Sequence, residues 1–270
     1  NYSMFINRKT IITLLSILAF STSSCSMKSV MQTEDLQAKE SINRFINDYS
    51  SENWEMRLEA IKSASKYNDT VYAGKILNLM LQAASDYHPA VQIEAIKNLK
   101  KMKSYSSLEK LRELSLTDPD HNVRASAITA LHDYASPDNS DIFVTGIESR
   151  DWLIREASYI GLLKIQPDSI QSNYIGKIIK GLKDPNLAVK LAVLKNLKIK
   201  DPLLYNEISG IINNKKTGIT LLKGALTAIN GYIFDEKTRS RLLGLLTHRN
   251  RDVRLLSLQA LKREKIELNF

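Results

Sequence analysis

Apolar and small residues recur at fixed intervals through most of this chain. The clearest copy of the pattern runs from Asp118 to Leu131 and reads Asp-Pro, three residues, Val-Arg, two residues, Ala, two residues, Ala-Leu. When Val123 is taken as position zero, small or apolar residues fall at positions 0, 4, 7 and 8. These positions lie on one face of an α-helix. The small residue at position 4 allows a neighbouring helix to approach closely, so the pattern predicts a helix packed against other helices.

Seven segments share this pattern, and their zero positions are 31 to 35 residues apart. A period in this range is the signature of a repeat protein in which each unit is one supersecondary element. The seven zero positions are Met56, Val91, Val123, Ile154, Val189, Leu221 and Val253.

A second amphipathic stretch lies between successive copies. Examples are residues 74–84, 107–116, 170–182 and 237–246. All six prolines fall between the predicted helices or at their starts, where proline is tolerated. We therefore expect seven helix pairs between about Asp35 and Glu264. No pair can bury its apolar face alone, so the pairs are predicted to stack on one another. The expected fold class is all-α, a right-handed α-α superhelix (alpha solenoid) over residues 35–270.

The repeated skeleton resembles the HEAT repeat over residues 51–263, and its short period is similar to the HEAT-like class first named from phycobilin lyases. The signatures of ankyrin and tetratricopeptide repeats are missing. The resemblance implies that acidic and basic positions beside each turn form a structural ladder linking adjacent repeats. These positions are Asp86, Asp118, Arg124, Arg155, Asp184, Lys190 and Arg254. The ladder is eroded, because Gln92 and Lys190 stand in place of arginine and Leu222 removes the position in the sixth copy.

The N-terminal residues have the order of an export signal. Arg8 and Lys9 precede an apolar run over residues 11–20, which is about ten residues and too short to span a bilayer. Small residues then lead to Cys25, the one cysteine of the chain. We therefore expect a signal peptide over residues 1–24.

The segment Thr22-Ser23-Ser24-Cys25 resembles a bacterial lipobox, although Thr22 replaces the usual aliphatic residue. The resemblance implies lipidation of Cys25, a tether over residues 25–34, and a membrane reached through the lipid anchor. The expected location is outside the cytoplasm, lipid-anchored to a bacterial membrane, periplasmic or at the cell surface. A cleaved signal with a chance cysteine, or an uncleaved anchor, stays open as an alternative.

The formal net charge of +9 favours anionic partners, without choosing among lipid, acidic protein and nucleic acid. Positions 6, 9 and 10 of the predicted second helices are mostly basic and point away from the core, which predicts a basic concave face. They include His132, Lys66 and Arg263, and the predicted partner-binding residues are Lys62, Lys97, Lys100, Lys101, Lys164, Lys195, Lys198 and Lys262. The alternative is ordinary solvation, with cations favoured near helix C-termini.

Two groups of large apolar residues lie beside this predicted basic face, and each group has two interpretations. Position 2 holds Leu58, Ile93, Leu191 and Leu255, which form an apolar lip or simply pack. Trp54 and Trp152 lie two residues before their zero positions. They are either exposed binding hot spots or structural packing residues.

Motifs for catalysis and for metal binding are missing from the sequence. His88, His121 and His248 precede second helices, and no H-E-x-x-H, C-x-x-C, G-x-S-x-G or P-loop motif occurs. We therefore expect no catalytic residue, no metal, no cofactor and no small-molecule substrate. The predicted function is a non-catalytic scaffold of the cell envelope that binds an acidic protein or peptide. The alternatives are a nucleic-acid-binding protein, which the export signal disfavours, and a lyase-type enzyme built on the same repeat.

Overall fold

The computed structural model describes residues 35–134, 137–164 and 174–267. Over these ranges the chain forms α-helices, short 3₁₀ turns and loops, and it contains no strand. Cys25, the predicted tether and the start of the predicted helix 170–182 lie outside the described residues. No helix in the described ranges has both the length and the hydropathy needed to cross a bilayer.

The described helices alternate between first and second members of seven pairs, as the repeat pattern predicts. The first helices are α1 (residues 35–49), α3 (Ala73–Ala83), α5 (Tyr105–Thr117), α7 (Ser140–Gly146), α9 (Ile175–Leu182), α11 (Pro202–Asn213) and α13 (Glu236–Leu245). The second helices are α2 (Trp54–Ala64), α4 (Pro89–Met102), α6 (His121–Leu131), α8 (Trp152–Lys164), α10 (Leu187–Asn196), α12 (Ile219–Ala228) and α14 (Arg251–Glu267). The 3₁₀ turns are Ser65–Tyr67, His132–Tyr134 and Pro137–Asn139. Each second helix contains one predicted zero position, so the number of repeats and their period are confirmed.

Polar side chains at the helix N-termini explain where several helices begin. Asp120 Oδ1 accepts hydrogen bonds from the backbone N–H groups of Asn122 and Val123, at 2.7 and 3.1 Å. Such a cap satisfies amide groups that have no partner within the helix and contributes about 1 kcal/mol. Equivalent caps are made by Asn53, Ser104, Asn186, Asp201 and Asp235.

The chain divides into two compact units, residues 1–79 and 80–270. In the first unit, Ile42, Ile61, Ala64 and Ile76 are fully buried. In the second, the second helices pack side by side in the order α4, α6, α8, α10, α12 and α14. The first helices form the other layer through the contacts α5–α7, α9–α11 and α11–α13. This two-layer stacking confirms the alpha-solenoid fold class, whereas the right-handed sense of the superhelix stays a prediction.

The buried face of six of the seven second helices is wider than the sequence pattern indicates. Position 5 is also buried, at 2% exposure or less, in Ile61, Ile96, Ile128, Tyr159, Leu194 and Leu226. The reason is that a second helix such as α6 packs against α5 and also against α4 and α8 on its two sides. One predicted core position is wrong, because Met56 is 50% exposed.

Candidate functional site

The arginine that follows the zero position binds the turn of its own repeat. Arg124 Nη1 donates to the carbonyl oxygens of Asp118 and Pro119. Arg57, Arg155 and Arg254 each donate in the same way to the two equivalent carbonyl oxygens of their own repeats, at 2.8–3.1 Å. The guanidinium group thus satisfies two carbonyl groups that no helix uses, which explains the Val-Arg pair in the repeat.

The aspartates five residues before the zero position order the same turns from the other side. Asp86, Asp118 and Asp184 each accept a hydrogen bond from the backbone N–H two residues later, at 2.8–2.9 Å. A short side chain that accepts from its own turn favours turn over helix at that point. These residues therefore fix the entry to the second helices.

Two side-chain pairs cross between adjacent repeats as ladder rungs. Arg155 makes a bidentate pair with Asp184, from Nε to Oδ2 at 2.7 Å and from Nη2 to Oδ1 at 2.9 Å. Gln92 Nε2 donates to Asp118 Oδ2 at 2.8 Å, so glutamine supplies a neutral rung where arginine is replaced. Burial opposes ionisation of Asp184, but the bonds from Arg155 and from the Asn186 backbone outweigh it and lower the pKa of its carboxyl group.

Arg124, Lys190 and Arg254 bind or influence groups of their own repeats. Arg124 has Ser149 at the matching place in the next repeat, so it meets no carboxylate there. Arg254 binds its own turn, and Lys190 lies near enough to Asp184 of the same repeat to help lower the pKa of that carboxyl group. The resemblance alone does not reveal which rungs form, because each rung needs a matching side chain one repeat further on.

A groove of about 930 Å³ crosses three adjacent second helices, and we call it the α4–α6–α8 groove. Ile93, Leu153 and Ile160 line it and are each half-buried, while Lys97 and Lys100 also line it. Ile93, at position 2 of its repeat, therefore contributes to an apolar surface that is open to solvent in this groove.

The basic residues beside this groove are partly neutralised by acidic residues of the same chain. Lys97 pairs with Glu94 at 3.0 Å, and Lys100 pairs with Asp133 at 3.1 Å. In the first unit, Lys62 lies 4.0 Å from Glu59. The remaining predicted lysines are exposed, namely Lys101, Lys164, Lys195, Lys198 and Lys262.

A smaller cavity of about 570 Å³ crosses the last three second helices, and we call it the α10–α12–α14 pocket. Leu191, Leu255 and Leu256 give it an apolar lining, and Gly224 lies among them. Lys195 also lines the pocket. The groove and the pocket are both formed by second helices, which is the layer predicted to bind a partner.

The placement of His132 on the basic face is wrong. This residue is 8% exposed, its ring lies 5.8 Å from that of Phe143, and Nε2 is 2.8 Å from the carbonyl oxygen of Ala157. Burial lowers the pKa of His132 from 6.5 to about 4, and the positive charges of Lys164 and Lys100 add to that effect. The helix period missed this because the chain turns into a 3₁₀ segment at His132.

The burial of His132 predicts a loss of stability in mild acid. A histidine whose pKa is lowered on folding is protonated preferentially in the unfolded chain. Its contribution is therefore fully present above pH 6.5 and is lost as the pH falls towards about 4. We expect a loss of about 3 kcal/mol over this interval in urea unfolding.

The variant His132→Gln should lack this pH-dependent loss, whereas His121→Gln should retain it because His121 is exposed. An unchanged pH dependence in His132→Gln would contradict the assignment.

His88 and His248 accept hydrogen bonds in the turns before second helices, and both tryptophans lie outside the groove and the pocket. His88 caps α4 by accepting from the Ala90 backbone N–H at 3.3 Å, and His248 Nδ1 accepts from the Asn250 backbone N–H at 3.1 Å. Trp152 is 40% exposed, Trp54 is half-buried, and neither lines the groove or the pocket. In the part of the chain that the structure describes, no three acidic, histidine or cysteine side chains are grouped to hold a metal ion.

Comparison with known proteins agrees with this architecture. A family model described as HEAT repeats matches residues 42–132 and 77–163. No curated protein sequence matches the chain significantly. The crystal structure of an engineered protein is similar, with 17% identity, a TM-score of 0.54, and coverage of 83% of this chain and 68% of that one.

Two enzyme structures show lower structural similarity. The CpcE–CpcF complex of phycocyanin lyase from Nostoc sp. has 16% identity and a TM-score of 0.48, covering 83% of this chain and 94% of that chain. Human deoxyhypusine hydroxylase in complex with glycerol has 11% identity and a TM-score of 0.41, covering 86% and 99% respectively. The family match and the stacked helix pairs lead to one conclusion: this chain contains HEAT repeats over residues 42–163, and the part that the structure describes folds as an alpha solenoid.

Proposed function

We propose that this protein is a non-catalytic scaffold of the bacterial cell envelope that binds a partner protein or peptide on its second-helix face. The observation that carries the proposal is the α4–α6–α8 groove, where half-buried aliphatic side chains lie open to solvent beside charged ones. An apolar centre with a polar rim is the usual composition of a protein interface. Removal of Ile93, Leu153 and Ile160 from water would supply much of the driving force.

The absence of catalysis is part of this proposal, since the fold by itself does not exclude it. Solenoids of this class serve as scaffolds and also as enzymes, and fold does not decide function. The buried titratable side chains described above have structural partners: Asp118 and Asp184 hold turns and rungs, and His132 bonds to a backbone carbonyl. These groups stabilise the repeats, which supports binding over chemistry.

A crosslinking experiment tests the proposed binding face. A photoreactive phenylalanine analogue at Thr129, an exposed residue that lines the groove, should crosslink a defined partner in intact cells. The same analogue at Leu116, which is 54% exposed on the first-helix layer, serves as the matched control. Equal crosslinking at both positions, or none at Thr129, would reject the groove as the binding face.

The lipid anchor is a separate part of the proposal and rests on the export-signal pattern that ends at Cys25. More than one acyl chain is needed for stable attachment, because a single chain binds a bilayer only marginally. We expect labelled palmitate to be incorporated into the wild-type protein and the protein to fractionate with membranes. The Cys25→Ser variant should lose both properties, and a labelled Cys25→Ser protein would refute the anchor.

A further inference from the structure

We propose that the α10–α12–α14 pocket is a subsite for an aliphatic side chain flanked by carboxylates, within an acidic segment of the partner protein. This inference rests on the proposed function, because it specifies the chemistry of the partner on the same layer of helices. It assigns recognition of the acidic partner to repeats five to seven, and not to all the lysines of the predicted basic face.

The lining of the pocket favours binding of an apolar group. Leu191, Leu255 and Leu256 line it, and Leu255 is 46% exposed. A volume of about 570 Å³ lies within the range of cavities that hold small ligands or several side chains. Burial of this surface by a partner side chain is favourable because it removes apolar area from water.

Gly224 gives the pocket its shape. It occupies the middle of α12, where glycine is unfavourable relative to alanine. A Cβ atom at this position would lie 3.1 Å from Leu191 Cδ2 and 3.2 Å from Leu194 Cδ1. Glycine therefore allows the side chain of Leu191 to lie close against the backbone of α12, which gives the pocket an apolar wall.

The charge beside the pocket selects an acidic partner. Lys223 is neutralised by Asp252, since their charged atoms are 2.8 Å apart. Lys195 is exposed, and no carboxylate of the described residues lies within 4.0 Å of its ammonium group. In the α4–α6–α8 groove, by contrast, both Lys97 and Lys100 have acidic partners of their own. One unmatched cation beside an apolar surface complements a carboxylate next to an aliphatic side chain.

The test uses the full chain and short fluorescein-labelled Gly-Ser peptides in an anisotropy titration. The probe carries Glu-Leu-Leu-Glu, and the comparison peptides carry Gln-Leu-Leu-Gln or Glu-Ala-Ala-Glu. We expect the probe to bind about fivefold more tightly than the glutamine peptide, the effect of one solvent-exposed ion pair. The alanine peptide should bind more weakly still, because it cannot fill the pocket.

Variants then locate the binding. Lys195→Gln should weaken binding of the probe about fivefold and leave the affinity for the glutamine peptide unchanged. Thr227→Trp, at an exposed residue lining the pocket, should block all peptides, with circular dichroism used to verify folding. The matched control Lys216→Gln, at an exposed lysine outside the groove and the pocket, should bind the probe as the wild type does.

Two results would overturn the inference: equal affinity for the three peptides, or an effect of Lys216→Gln as large as that of Lys195→Gln. The proposed function fails separately. A partner crosslinked through Thr129 without any peptide preference rejects this subsite and leaves the binding face intact. Peptide preference without a partner crosslinked through Thr129 supports this subsite and rejects the groove as the binding face.

Discussion

Replacement of Asp184 by alanine is expected to lower the free energy of unfolding by about 3 kcal/mol, because a buried charge pair loses one partner. The side chains of Arg155 and Asp184 are only 13% and 7% exposed. The change leaves Nε and Nη2 of Arg155 without their acceptor and the Asn186 backbone N–H without its cap. Urea unfolding at neutral pH measures the loss.

The matched control is Asp252→Ala, since Asp252 pairs with Lys223 at 2.8 Å but is 58% exposed. Water replaces that partner readily, so its removal should produce no resolvable change. Similar losses in both variants would show that the Arg155–Asp184 rung does not hold repeats four and five together.

The lowered pKa of Asp184 adds a pH signature to this rung. A carboxyl group whose pKa falls on folding contributes stability above its unfolded value of 3.8. That contribution is lost as the pH falls through the folded pKa. Asp184→Ala should therefore approach the wild type in stability in strong acid.

A second large effect is expected at Phe143, which is fully buried between α7 and α8. Phe143→Ala should cost about 3–5 kcal/mol, because it removes a large apolar side chain and leaves a cavity. Gly161 packs directly on this ring, and a Cβ atom there would lie 2.4 Å from Phe143 Cε1. Gly161→Ala alone should therefore destabilise the protein by about 1–3 kcal/mol through overpacking.

In the Phe143→Ala background the sign of the Gly161→Ala effect should reverse. The clash is then gone, and alanine is favoured over glycine within a helix by about 1 kcal/mol. Unfolding of the four proteins in a double-mutant cycle measures this coupling. A destabilisation by Gly161→Ala that persists without the ring would contradict the packing of α8 on α7.

Much of the architecture was predictable because it depends on local chemistry repeated many times. The spacing from Val91 to Val253 defines the second helices, and residues such as Asp120 and Asn186 mark their starts through their own backbone bonds. Met56 departs from the pattern, since a residue at an apolar repeat position is buried only if neighbours cover it.

For the candidate site, the sequence predicted only which layer of helices forms it. Positions 6, 9 and 10 identify which side chains leave the core, yet the sequence does not show that Lys100 is neutralised by Asp133 of the next repeat. It also placed His132 among the exposed cations. Both outcomes depend on which groups of adjacent helices come within hydrogen-bonding distance.

The sequence by itself determined the repeat, its period and the helix pairs, because a single amphipathic helix encodes its buried face in a local pattern. Tertiary structure alone decided which rungs cross between repeats, which lysines of the described ranges lack an acidic partner, and how Gly224 lets Leu191 form a wall of the pocket. Those properties arise between helices about 30 residues apart in the chain, where stacking sets distances that no local pattern records.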